Sequence, residues 1–150
     1  MNKSSYYVVF ILDEQRYALY LSAIERVVSM VEVTPLPKAP EIVLGVINVQ
    51  GRVLPVVNIR KRFRLPERDI DLSDRMIIAR TARRPVALVV DAVSGVVERS
   101  EHDVRVAEQI LPGMEYIEGV LVLEDGLILI HDLETFLSLD EEKALDEAIE

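Results

Sequence analysis

The sequence predicts an all-β fold with few, short helices, built as a duplicated pair of small barrels around a shared hydrophobic core. Three observations carry that expectation. Valine and isoleucine supply 35 of the 150 residues, and branching at Cβ favours strands, where a stiff side chain packs on a pleated surface. The apolar segments are short and broken by turn signals, the pattern of a sandwich or barrel rather than of alternating β and α units. The chain also matches itself twice in the same order: Ala18–Val28 with Ala87–Val97 at an offset of 69, and Gly45–Ile59 with Gly119–Leu133 at an offset of 74. Two copies do not make a solenoid, and a copy of about 60 residues is marginal alone, so an apolar interface between copies is expected.

Taken in order, Tyr7–Leu12 runs through Asp13-Glu14 into Arg16–Leu21, which reads as a hairpin. Further strands are expected at Val27–Val33, Val46–Val49, Val53–Val57, Met76–Thr81, Pro85–Val90, Val96–Arg99, Val120–Leu123 and Leu127–Ile130. Ser22 and Glu25 have capping-box spacing. Asn58 and Asp132 suit caps of short turns over Ile59–Phe63 and Leu133–Leu137. Pro40 suits the first position of a turn ending at Gly45. The one longer helix is C-terminal: Ser138 and Glu141 form a second capping-box pair, Leu145, Ala148 and Ile149 share a face, and the acids read as mostly solvated. Residues 65–74 read as a linker, and 100–114 as a second irregular stretch.

Composition removes several classes of function. With no cysteine there is no disulfide, thiolate metal site, iron–sulfur cluster or cysteine nucleophile. The longest apolar runs, such as Val86–Val90, are too short to span a bilayer, so direct membrane insertion is not expected, and the N-terminus lacks a signal peptide's apolar core. Of the net charge of −9, residues 140–150 carry −5. Residues 50–64 are basic through Arg52, Arg60, Lys61, Arg62 and Arg64. They read as a solvated rim rather than a nucleic-acid site. No nucleophile elbow, zinc motif or Walker loop occurs. His131 beside Asp132 could act as a base oriented by a carboxylate, but a strand-end histidine packed on a cap is the commoner arrangement. The expectation is a protein that binds proteins, with no cofactor, no metal and no catalysis; a small enzyme using His131 and Asp132 is the alternative.

Gly45-Val46-Ile47-Asn48-Val49-Gln50-Gly51-Arg52-Val53-Leu54-Pro55-Val56-Val57-Asn58-Ile59-Arg60 resembles the CheW family of bacterial chemotaxis coupling proteins. The likeness continues through Tyr17-Ala18-Leu19, Ile24, Pro37-Lys38-Ala39-Pro40, Val86–Val93, Tyr116–Gly119 and Leu127–Leu133, covering about residues 6 to 137. It implies two five-stranded, SH3-like barrels on a common core. As domains, it implies a CheW-like unit over 1–139, with barrels near 6–65 and 74–137 that exchange strands, followed by an acidic helix over 140–150. In function it implies a non-catalytic, cytoplasmic adaptor at receptor arrays on the inner face of the membrane. Such an adaptor couples chemoreceptor cytoplasmic tips to the regulatory domain of a CheA-type histidine kinase, in motility or another chemosensory output. A peptide-binding barrel module outside chemosensing is a further alternative.

Positions matching the family's receptor surface are Ile24, Gly45, Gly51, Met76 and Val96. The three apolar ones would also suit plain core, and the glycines plain turn geometry. The family's Glu–Arg pair is replaced by Arg26 and Gln50, which with Arg60 are the candidates for polar coupling. Asn58 stands where the family has aspartate and can still cap a turn, without charge.

Overall fold

A computed structural model of the chain describes residues 4–106 and 117–149. Strands β1 (Ser4–Leu12) and β2 (Gln15–Tyr20) form the expected hairpin. Its two turn residues, Asp13 and Glu14, take positive φ (49° and 69°), the local twist that suits a tight hairpin. A 3-10 turn, Leu21–Ala23, leads to β3 (Ile24–Ser29). The Ser22–Glu25 capping box does not form. The turn has no side-chain cap, and Glu25 is already in the strand, where it accepts hydrogen bonds from Arg52. β3 therefore starts earlier and ends sooner than expected, because the chain leaves the ladder at Met30 and returns at Thr34 to form an isolated bridge with Val46.

Strands β4 (Val43–Val49) and β5 (Arg52–Val57) form a second hairpin. The turn beginning at Pro40 closes at Val43, not at Gly45, which lies inside β4. Helix α1 (Ile59–Arg62) follows, with Asn58 capping it by accepting from the Lys61 amide. Then come β6 (Arg75–Arg80), β7 (Pro85–Val90), β8 (Ala92–Ser100), a 3-10 turn at Glu101–Asp103 and β9 (Val104–Val106). The remainder of the expected irregular stretch, 107–114, lies outside the described residues. Strands β10 (Ile117–Leu123) and β11 (Gly126–His131) form the last hairpin, Asp132 caps a 3-10 turn at Leu133–Thr135, and α2 (Leu139–Ile149) ends the chain.

The strands make two sheets, ordered β8-β1-β2-β11-β10-β9 and β3-β6-β7-β5-β4. Among the described residues neither closes into a barrel by continuous pairing, and they number six and five strands instead of five each. The duplication is visible in that order. Replacing β3, β6, β7, β5 and β4 by β8, β1, β2, β11 and β10 turns the five-stranded sheet into the other without its edge strand β9, and both contain one parallel pair, β5–β7 and β2–β11. β4 and β10 each carry a bulge next to a glycine, Gly45 and Gly119. Each sheet also draws strands from both sides of the 65–74 segment.

Period-2 alternation divides the apolar residues among three cores. Tyr7, Val9, Ala18, Leu121, Ile128 and Ile130 cluster on one face of the six-stranded sheet. Ile47, Leu54, Val56, Met76, Ile78 and Ala87 cluster on one face of the five-stranded one. The largest core lies between the sheets and takes Phe10, Leu12 and Leu19 from one and Ile77, Leu88 and Val90 from the other.

Helix α2 completes that shared core. Leu145 is wholly buried in it, whereas Ile149, expected on the same face, is half exposed. Ser138 and Glu141 do form the reciprocal capping box, at 2.7 and 3.1 Å. Of the described acids of α2, Asp140, Asp146 and Glu147 are exposed, as expected, whereas Glu141 and Glu142 are drawn inward. Glu141 pairs with Arg62, and Glu142 and Asp146 with Arg84. Desolvating a carboxylate is costly unless a cation faces it, and the two arginines satisfy that condition.

Candidate functional site

The five-stranded sheet brings Arg26, Gln50 and Gly51 together at one end. Its two edge strands, β3 and β4, approach one another there as the sheet curls, and side chains bridge the seam. Arg26 of β3 donates to the Gln50 carboxamide oxygen in the β4–β5 turn at 3.0 Å. Arg52 of β5 donates to both carboxylate oxygens of Glu25 at 2.9 and 3.3 Å, and Arg80 of β6 stands 3.9 Å from the same carboxylate. Hydrogen bonding from Arg52, then the charges of Arg52, Arg80 and Arg26, hold the Glu25 carboxyl below its ordinary value. Lower down, the backbone seals the seam: Thr34 and Val46 exchange two N–H···O bonds of 2.8 Å.

The two candidate glycines lie towards opposite ends of the β4–β5 hairpin and differ in what they do. Gly51 sits at the tip of the turn with φ +84°, and a Cβ added there would meet nothing within 4 Å. It follows Gln50, itself at φ 51°, and its amide donates to the Asn48 side chain at 2.9 Å. Gly45 is enclosed. A Cβ there would lie 2.3 Å from the Thr34 carbonyl oxygen, so this glycine lets the crossing segment approach. Ile24 is partly buried at the start of β3, packed on the shared core. Met76 is not on the surface at all: it is wholly buried inside the five-stranded sheet, because alternation in β6 turns Met76 and Ile78 inward. A surface position for its side chain is therefore corrected to a place in that sheet's core. Val96 is 56% exposed, on β8 of the other sheet, and pairs with Val8.

Arg60 has a different place from the solvated rim expected of the 50–64 stretch. It is 9% exposed and donates to Asp13 at 2.8 Å, Asp91 at 2.6 Å and the Pro66 carbonyl at 3.0 Å. Arg68 joins it, bridging Asp74 at 2.7 Å and Asp91 at 2.6 Å. Burial pushes the Asp91 carboxyl up. The Asp13 amide and the two guanidinium groups outweigh burial and hold it below its ordinary value. This network ties the β1–β2 turn, α1, the 65–74 segment and the end of β7 together. It is a junction of the fold, and it lies apart from the seam.

His131 and Asp132, the candidate base and its orienting carboxylate, lie at the end of β11 and at the cap of the turn that follows it. The His131 ring is buried, stacked on Phe63 at 3.9 Å between ring centroids and set edge-on to Phe136. The Asp132 carboxylate caps the following turn by accepting from the Glu134 amide at 3.1 Å. Among the described residues no group of three or more histidine, aspartate or glutamate side chains is arranged as a metal site, and no helix is long and apolar enough to cross a membrane.

Sequence reasoning missed Glu25, Arg52 and Arg80 at the seam, and Arg68, Asp74 and Asp91 at the junction. For Glu25 and Arg52 a signal existed: they flank the singled-out Arg26 and Gly51. For Arg68 and Asp74, in a segment that reads as linker, none did.

Comparison with known proteins adds an independent line. The CheW-like domain profile matches residues 6–141. A chemotaxis protein CheW from Thermotoga maritima is 33% identical over 128 residues, spanning 85% of this chain and 84% of that protein. One from Rhizobium meliloti is 30% identical over 139 residues, spanning 91% and 90%. Among solved structures, the scaffolding protein TtCheW from Thermoanaerobacter tengcongensis superposes with a TM-score of 0.83 at 28% identity, covering 93% of this chain and 96% of that one.

Proposed function

This chain belongs to the CheW-like domain family, and from that premise we propose that it is a non-catalytic scaffold of a chemosensory array, coupling chemoreceptor cytoplasmic tips to the regulatory domain of a CheA-type histidine kinase. The observation that carries the reading is the family match across residues 6–141, with relatives named as chemotaxis and scaffolding proteins. The geometry is compatible with such work. A packed body holds a turn with open space over Gly51 and a partly buried Ile24 at one end, and an exposed Val96 on its second sheet. A helix lying in a groove needs apolar anchors with a polar rim. Ile24, Gly51 and Val96 are assigned to the receptor contact, with Gly45 and Met76 shaping it from behind. Arg26 and Gln50 form its rim, while Arg60 acts at the junction.

Calorimetry with two purified fragments tests the proposal: a chemoreceptor tip hairpin and a CheA-type regulatory domain, both from the same organism. Saturable binding to both is expected. Binding to neither would overturn it.

A further inference from the structure

The seam carries more positive charge than its own side chains neutralise. Three strands bring Arg26, Arg52 and Arg80 around a single carboxylate, Glu25. Arg52 occupies both of its oxygens, and Arg80 reaches it only at 3.9 Å. Arg26 is held by the neutral Gln50 and spends no charge on the contact. Among the described residues no second carboxylate pairs with any of the three. The Arg52 and Arg80 side chains are 46% and 63% exposed, and nothing stands over Gly51.

We infer that this arginine cluster is a charge-selective contact, taking a partner helix that places a carboxylate side chain between Arg26 and Arg80 beside its apolar anchors. The inference rests on the receptor-coupling reading and names the partner's chemistry at that site. Two guanidinium groups left facing water cost little in the free protein, because water screens them. Once a partner excludes that water, they strongly favour a carboxylate and disfavour a lysine or arginine at the same position. Guanidinium suits the task better than ammonium, since its planar fork binds carboxylate in two-point geometry. A nucleic acid would find a patch of only three cations on a chain of net charge −9, too few for a phosphate track. A single acidic face of a helix matches the patch in size.

The test titrates chemoreceptor tip fragments from the same organism into wild type, Arg26→Gln/Arg80→Gln and Arg26→Glu, at low and high salt, with thermal melts alongside. Neither arginine is in a core, so the melts should coincide. The double variant should bind about tenfold more weakly and lose most of the salt dependence, and the charge reversal should bind more weakly still. Changing the fragment's contact glutamates to lysine should restore binding to Arg26→Glu. Equal affinity and equal salt dependence for wild type and double variant would overturn the inference and leave receptor coupling standing. No binding by wild type would remove receptor coupling itself, and the inference with it.

Discussion

Replacing Gly45 with alanine would put a Cβ atom 2.3 Å from the Thr34 carbonyl oxygen and 3.0 Å from Val33 Cγ1, on a backbone with φ +153°. The oxygen cannot yield without cost, because it accepts from the Val46 amide while the Thr34 amide donates to Val46. Losing both bonds removes about 2 kcal/mol, and holding a side chain in that backbone region adds about 1–3 kcal/mol. At about 2–4 °C per kcal/mol for a chain of this size, the melting temperature should fall by about 10 °C. Gly51 is the control. Its Cβ would meet nothing, so Gly51→Arg adds only the left-handed backbone penalty of about 1–2 kcal/mol and about 2–8 °C. Receptor-tip affinity should show the opposite ranking, with Gly51→Arg abolishing binding and folded Gly45→Ala retaining part of it. Differential scanning calorimetry and titration of the same preparations provide both measurements. A Gly45→Ala protein melting within about 2 °C of wild type would refute the steric argument, and a Gly51→Arg protein that still binds would remove the turn from the contact.

Asp91→Asn keeps the shape of the junction but withdraws the anion shared by Arg60 and Arg68, and should cost about 2–3 kcal/mol in urea unfolding. The Asp91 and Glu141 carboxyls are both held below their ordinary values in the folded chain. Their stabilisation is therefore complete above the unfolded carboxylate range of about 4 and is lost as pH falls through the lower folded values. The acid limb of a melting curve against pH should begin near pH 4 and flatten in Asp91→Asn. Leu145→Ala should cost about 2–5 kcal/mol by opening the shared core beneath α2. A loss under about 1 kcal/mol would mean that the helix is not docked in solution. Val96→Asp should leave the melt within the range of ordinary surface changes, about 0.5 kcal/mol, while weakening receptor-tip binding more than tenfold; unchanged binding would place the contact elsewhere.

Strand positions were legible because β-branched alternation is a local signal, and β5, β6 and β7 lie within a residue of where the pattern puts them. The Asn58, Asp132 and Ser138 caps were legible for the same reason: donor and acceptor lie within three residues of each other. The Ser22–Glu25 motif has the same spacing and fails, because Glu25 has a stronger partner in Arg52, 27 residues away. Burial was the least legible property. Arg60 stands in a basic stretch that reads as a solvated rim, and only the fold brings Asp13 and Asp91 to it from 47 and 31 residues away. Met76 was placed on a surface by the family resemblance alone, and the strand pattern did not contradict it. Period 2 says that alternate residues of β6 share a face, but both faces of this strand are covered, one by each core.

That double covering bears on what a scaffold of this kind needs. Because β1 and β2 complete the sheet of the later strands, and β6 and β7 that of the earlier ones, neither half of the chain owns a whole sheet. The halves are joined by ladders and by the Arg60–Asp13–Asp91 network, not by a hinge. The seam on one sheet and Val96 on the other are therefore held at a fixed separation and angle. A contact that pulls on one sheet must be resisted through the shared core, whose loss would cost the whole fold. Hydrogen exchange makes this measurable. Core amides of both sheets should exchange by the same global opening, with protection free energies agreeing within about 1 kcal/mol. If the β4–β5 amides opened several kcal/mol more easily than those of β1 and β2, the sheets would move independently, and the fixed spacing between the two proposed contact regions would be lost.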